Sequence, residues 1–192
     1  MVDEWIVLFH LLNSLLCFKV VFDQEDPVFD CVHFCSINKL LQLLLFIMRL
    51  IAHRGNYQGK NVERENTYLY LKEAIIAGFD VEVDVWLIDD KFFLGHDGPN
   101  EEVSLDQLKF IQPFAWFHAK NYAALETLLT NRMHVFFHDQ DEYTITSRGY
   151  IWAYSGKFVG PNAIACMPES TPGFSVPSNA AGICSDYLVS VE

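Results

Sequence analysis

From residue 49 onward, short apolar runs alternate with turns and with stretches of helical periodicity. Residues 49–53 have the pattern of a buried strand. Residues 80–86 alternate, with Val81, Val83 and Val85 on one face and Asp80, Glu82 and Asp84 on the other. Residues 91–96, 115–120, 134–138, 150–154, 163–167 and 181–185 are further short apolar or aromatic runs, which brings the expected strands to about eight. Between them, Asn66 and Thr67 can cap a helix running to Ala77. Tyr68, Leu71 and Ile75 fall at helical spacing, and Gly78 suits a left-handed stop. Ser104-x-x-Gln107 resembles a capping box that opens a helix to Ile111, and residues 121–129 form another helix with Leu125, Leu128 and Leu129 as its stripe. Strands that alternate with helices predict a parallel sheet, open or closed.

Residues 1–47 have a different texture. Apolar runs at 5–18 and 40–51 lack clean punctuation, and neither reaches the roughly 18–20 uninterrupted apolar residues of a membrane span. The start, Asp3-Glu4, lacks the basic residues of a secretory signal. Cys31-x-His33-x-Cys35 has no partner pair, so chance is favoured there over a zinc site. Met48 would be a natural start. Residues 1–47 are expected to be either an extension outside the native protein or a hydrophobic appendage, and residues 48–192 the functional domain. A start at Met48 implies a cytoplasmic protein. A real appendage implies membrane association.

Composition narrows the function classes. With 51% apolar and 15% aromatic residues the chain is not disordered, and five cysteines are too few and too odd for a disulfide scaffold. A net charge of −12 leaves no basic stripe for a phosphate backbone, so no nucleic-acid partner is expected. Neither Gly-x-Gly-x-x-Gly nor a Walker sequence is present.

The polar residues gather at strand ends: His53-Arg54, Glu82 and Asp84, His96-Asp97, His118 and Lys120, His138-Asp139, Glu169, Asp186. In a closed (β/α)8 barrel those ends form one mouth, where active sites sit. Glu82 and Asp84, two apart on a strand, point the same way, and they repel each other unless a cation lies between them. A hard divalent ion, Mg2+ or Ca2+, fits oxygen ligands. The plain alternative is a solvated acidic strand face. His53 and His96 supply two imidazoles, enough for a base and an acid or for a nucleophile and an acid. Arg54 can grip a phosphate by two hydrogen bonds. This combination suits a phosphodiester anion.

Four ordered motifs, Ile51-Ala52-His53-Arg54-Gly55, Glu65-Asn66-Thr67, Glu82-Val83-Asp84-Val85 and His96-Asp97, resemble the glycerophosphodiester phosphodiesterase family, phospholipase-C-like enzymes with a TIM-type barrel. The resemblance implies His53 and His96 as the catalytic pair, Glu82 and Asp84 as metal ligands, Arg54 as a phosphate contact and Glu65 as a supporting residue. The family usually has Glu-x-Lys at the end of the fourth strand, and here the sequence is His118-Ala119-Lys120. Lys120 carries over as a phosphate contact and the Glu does not. His118 is then a third metal ligand or a substrate contact, Asp139 or Glu169 could be recruited instead, and Mn2+ or Zn2+ joins Mg2+ and Ca2+ as a candidate ion. Arg64 stands where the family has Pro.

The expected fold is thus a compact, partly reduced (β/α)8 TIM-type barrel. The stretch between Asp84 and His96 is too short for a crossover helix, so the chain should turn near Asp89-Asp90 and return. The connections at 139–149 and 156–162 are also short, and 168–180 reads as an irregular loop at the mouth. Tyr150, Trp152 and Tyr154 share a strand face, as core or as an apolar wall for substrate. Cys166 and Cys184 read as ordinary buried thiols. The expected function is metal-dependent hydrolysis of a glycerophosphodiester or a related (lyso)phospholipid by His/His acid-base chemistry, with a small-molecule phosphodiester as partner. A lyase that gives a cyclic phosphate and a phosphate-binding barrel without turnover are the alternatives. Oligomeric state is not written in the sequence.

Overall fold

The computed structural model describes residues 48–189. The expectations for residues 1–47, including the Cys31-His33-Cys35 cluster, lie outside the described residues. Among the described residues, ten strands and three α-helices follow in chain order: β1 (Arg49–Ala52), α1 (Tyr68–Ile76), β2 (Asp80–Ile88), β3 (Lys91–Leu94), β4 (Glu101–Val103), α2 (Leu105–Ile111), β5 (Ala115–Ala119), α3 (Tyr122–Thr130), β6 (Val135–Phe136), β7 (Tyr143–Ile145), β8 (Ile151–Ala153), β9 (Ala163–Cys166) and β10 (Gly182–Ser185). Two 3-10 turns, His53–Gly55 and Pro168–Ser170, sit directly beyond β1 and β9.

Seven strands run parallel in the order β6-β5-β2-β1-β10-β9-β8. β2 is long enough to serve two ladders. Its first half pairs with β1 and β5, and its second half pairs antiparallel with β3, which continues antiparallel to β4. Asp89 and Asp90 make the return turn with φ of 49° and 61°, the left-handed pair that a two-residue hairpin of matching twist requires.

The sheet curls on itself. β5 and β8 are five strand spacings apart along the sheet, roughly 24 Å if it were flat. Yet the rings of Trp116 on β5 and Trp152 on β8 have centroids 5.9 Å apart, and those of Phe136 and Trp152 are 4.5 Å apart. Ile51, Trp116, Phe136, Trp152, Ile164 and Cys184 fill the enclosed side as a core of their own. The gap between β6 and β8 is bridged without a regular ladder. The Ser147 amide donates to Val135 O (2.8 Å), and its hydroxyl donates to Met133 O and accepts from the Val135 amide. The architecture is therefore mixed α/β with a curled sheet. A fully closed (β/α)8 barrel is not what the ladders give: β7 runs antiparallel to β8, and β7 and β4 are strands that the hydrophobic pattern did not predict.

The helices pack outside the first half of the sheet, where Leu71, Ala74, Leu108, Ile111 and Leu128 join Val81, Val83, Val85 and Phe117 in the main core. Thr67 caps α1, accepting from the Tyr70 amide; the capping box of Ser104 and Gln107 is complete; and Asn121 caps α3 through the Ala124 amide. Asn121 also donates to Leu87 O, which ties α3 to β2. Beyond α3 the described connections carry no α-helix, and Ile145, Ile151 and Phe158 remain exposed. Among the described residues no helix is long and apolar enough to cross a membrane.

His134, just before β6, is buried against Trp116 with ring centroids 4.1 Å apart, and its Nε2 lies 2.9 Å from the Thr146 hydroxyl. Burial, and then the positive charges of Arg148 and Arg49, lower its pKa from 6.5 to about 3. The unfolded chain therefore binds the extra proton between those values, and the contribution of neutral His134 to stability, complete above pH 6.5, is lost on acidification through that window. Urea midpoints measured at several pH values should fall less steeply below pH 6.5 in His134→Gln than in the wild type. Equal slopes would contradict this.

Candidate functional site

The site grows from the ends of β1, β2 and β5, which lie side by side. Parallel register sets Glu82 beside Trp116 and Asp84 beside His118. Glu82 and Asp84 point into the enclosed side and are 3% and 0% exposed, which disposes of the solvated-face alternative. Their two faces of β2 differ in chemistry but not in dryness, because Val81, Val83 and Val85 are buried as well.

Two buried carboxylates so close need compensation, and it arrives from three segments. The 3-10 turn after β1 holds Arg54 at φ 54°, ψ 25°, a left-handed conformation that a side-chain-bearing residue adopts only when its surroundings demand it. That twist aims the Arg54 amide at Glu82 Oε2 (3.2 Å), while the guanidinium reaches Glu65 Oε2 (NH1, 3.1 Å) and Asp84 Oδ2 (Nε, 3.4 Å). Asn66, also left-handed at φ 55°, brackets Asp84 twice: its Nδ2 donates to Asp84 Oδ2 (2.9 Å), and its Oδ1 accepts from the Asp84 amide (3.0 Å). Lys120, beyond β5, brings Nζ to 3.5 Å from Asp84 Oδ1. His118 sits with Nδ1 2.8 Å from Asp84 Oδ1 and 3.8 Å from Glu82 Oε1.

The hydrogen bonding is uneven. Asp84 Oδ1 and Arg54 Nε are buried without an aligned hydrogen-bond partner, although charged groups stand at ion-pair distance. Burial and the neighbouring Asp84 charge push the Glu82 carboxyl well above its ordinary pKa, with Arg54 opposing. Burial pushes Asp84 the same way, but His118, Lys120 and Arg54 outweigh it and hold Asp84 below the usual range. The pair thus behaves as one strongly anionic and one proton-holding carboxyl, as expected when like charges share a site.

One donor atom each from Glu82, Asp84 and His118 lies within 4.8 Å of the others, a set able to hold a metal ion. His118 packs beside Phe136 and His138, with near-parallel rings and centroids 4.9 and 4.5 Å away, and its Nε2 is 3.4 Å from the His138 carbonyl. Burial, and then the charges of His118 and Lys120, lower the His138 pKa to about 4.

His53 is anchored from the opposite side. Its Nδ1 is 2.9 Å from Oδ1 of Asp186, the residue after β10. Burial would raise the Asp186 pKa, but the His53 hydrogen bond overrides it and lowers the value. Asn56 donates to both Asp186 (2.9 Å) and Glu65 (3.1 Å), joining the His53 and Arg54 halves of the site. His96 lies in the turn after β3, paired through Nδ1 with Asp97 (2.7 Å) and 39% exposed on its side chain; it does not join the buried cluster. Asp97, lowered first by that hydrogen bond, also feels the charges of Arg54 and Lys120.

The two alternative ligands are elsewhere. Glu169 accepts from the Ser185 hydroxyl and the Asp186 amide, both at 2.9 Å, bracing the end of β10. Asp139 is exposed. Asn56 and the Asp84-clamping role of Asn66 escaped the sequence reading, which saw Asn66 only in a motif and as a helix cap. The one available signal was its place in Glu65-Asn66-Thr67.

No family model matches the chain, and no curated protein matches it. Among solved structures, the chain is similar to a glycerophosphodiester phosphodiesterase from Parabacteroides distasonis, with 13% identity and a TM-score of 0.37 over 72% of this chain and 92% of that one.

Asn66→Gly keeps the left-handed backbone accessible while removing both side-chain bonds to Asp84. It should cost about 1–3 kcal/mol, the penalty for leaving a buried charged acceptor and an amide less satisfied, as measured by urea unfolding. A change below a few tenths would show that the clamp is idle.

Proposed function

We propose that the protein is a metal-dependent phosphoric diester hydrolase acting on a glycerophosphodiester or a related lysophospholipid head-group ester. The observation that carries this reading is the convergence at adjoining strand ends of a three-donor group, Glu82, Asp84 and His118, with two cationic side chains, Arg54 and Lys120, and an oriented imidazole, His53. The motif resemblance supports the same reading.

The residues fit a divalent ion: the donors are close, and Asp84 Oδ1 is buried without a hydrogen-bond partner. A bound ion would supply Lewis-acid stabilisation of a phosphoryl oxygen. Arg54 and Lys120 flank the acids and are available to non-bridging phosphate oxygens, where charge builds in the transition state. Asp186 holds His53 through Nδ1, which leaves Nε2 to take or give a proton. His96, whose Nδ1 is paired with Asp97, is the second proton carrier in this reading. Glu65 acts through Arg54, fixing its guanidinium. If a substrate hydroxyl attacks in place of water, the same residues give a cyclic phosphate and the enzyme is a lyase.

Purified protein should cleave glycerophosphodiesters or lysophospholipids only when a divalent ion is supplied. His53→Ala should lower the rate by about 10^2–10^4, the usual contribution of a positioned acid or base. Glu82→Gln and Asp84→Asn should abolish the ion-supported cleavage. A wild type with no ion-dependent cleavage, as inert as His53→Ala, would overturn the enzyme reading. Phosphorus NMR of the product separates a phosphomonoester from a cyclic phosphate.

A further inference from the structure

In the Glu82–Asp84–His118 group each carboxylate has one oxygen already held by the scaffold. Glu82 Oε2 is engaged by the Arg54 amide, and Asp84 Oδ2 by Asn66 Nδ2 and Arg54 Nε. Glu82 Oε1 and Asp84 Oδ1 are the oxygens left, and they are the ones that face His118 Nδ1, at 3.8 and 2.8 Å. Bidentate ligation by either acid would ask an oxygen already held by the scaffold to serve the ion as well. Calcium wants six to eight oxygens and commonly takes carboxylates in bidentate fashion. Two single oxygens and an imidazole are a poor start toward that shell.

The third donor is a nitrogen, and its surroundings orient it. The other ring nitrogen of His118 points to the His138 carbonyl oxygen (3.4 Å), an acceptor and never a donor. That contact calls for the proton on Nε2, the arrangement by which metal-bound histidines are held by an outer carbonyl. A cation beside Nδ1 would meet Asp84 Oδ1 and Glu82 Oε1, which lie 2.8 and 3.8 Å from that nitrogen, and Asp84 Oδ1 is buried without an aligned hydrogen-bond partner. Phe136 and His138, whose rings lie within 5° and 1° of parallel to it, pack against the imidazole. Arg54 and Lys120, close to Asp84, also weaken the anionic field on which hard ions depend most.

We infer that His118 is the selectivity-determining ligand and that the site takes a first-row transition ion such as Mn2+ or Zn2+ in preference to Mg2+ or Ca2+, because two single carboxylate oxygens and one imidazole nitrogen suit the former. This deepens the metal assignment of the proposed function and rests on it. It differs from the ion expected for an all-carboxylate site.

Any nitrogen-containing site favours zinc to some degree, so the test compares ligands within one protein and reads binding rather than turnover. The full chain is stripped with a chelator and titrated calorimetrically with Mn2+, Zn2+, Mg2+ and Ca2+. The Mn2+ form is then examined by electron-spin-echo spectroscopy for nitrogen coupling. The expected result is one Mn2+ per chain with a directly coordinated nitrogen. In His118→Glu the nitrogen signal should vanish, and the affinity ratio of Mn2+ to Mg2+ should fall by about tenfold or more, the usual scale on which ligand surroundings act. His118→Asn, read in the same way, covers the case in which the glutamate variant does not fold by circular dichroism. Stoichiometric Mn2+ binding without nitrogen coupling, or an unchanged ratio in the variants, overturns this inference and leaves the metal-dependent reading standing. Failure of the wild type to bind any of the four ions, with Glu82→Gln and Asp84→Asn behaving identically, overturns both.

Discussion

Two carboxylates on one strand, turned into the dry side of a curled sheet, set the terms for everything around them. Burying a charge without compensation is so costly that the group gives up its charge or the fold gives way. Here Glu82 and Asp84 are covered almost completely. The turn after β1 is bent into a left-handed conformation so that Arg54 can serve both acids, Asn66 takes another left-handed position to clamp Asp84, and β5 contributes Lys120 and His118 from the adjoining register. The left-handed backbone at Arg54 carries a cost that those contacts offset, while Asn66 is a residue type that tolerates it.

The compensation stops short of completion. A purely structural ion-pair network is expected to satisfy each buried oxygen, because a half-satisfied network is worse than an apolar core. Asp84 Oδ2 is held on two sides while Oδ1, a few ångströms away and equally buried, has no aligned hydrogen-bond partner. The engaged oxygens face the scaffold, and the unengaged ones face one another and His118. That division of labour is the physical ground for reading the cluster as a binding site rather than as a structural knot.

Part of this was legible in the residues. The alternation of Val81, Val83 and Val85 with Asp80, Glu82 and Asp84 identified β2. Gly78 and Ser104-x-x-Gln107 marked helix boundaries found in the fold, and the crowding of titratable residues at strand ends located the cluster. What stayed hidden depends on contacts between residues far apart in sequence. The Asp186 carboxylate meets His53 across 133 positions and Asn56 across 130, and no local period encodes that. Asn66 looked like a helix cap because its neighbour Thr67 is one. β7 escaped notice because a three-residue exposed strand has too few positions to display alternation. Its antiparallel run also explains why a strictly alternating β/α reading overstates the regularity of the second half.

The fate of Glu169 illustrates how sequence position underdetermines role. It stands just past a strand end, as a ligand would, yet both of its recorded bonds are spent on Ser185 and Asp186. Asp186 in turn orients His53. Glu169 therefore reaches the site at two removes, through the end of β10, and the charge it brings steadies an imidazole instead of an ion. With Glu169 occupied in this way and Asp139 exposed, no third carboxylate stands beside Glu82 and Asp84 among the described residues, and the character of the cluster falls to the imidazole of His118.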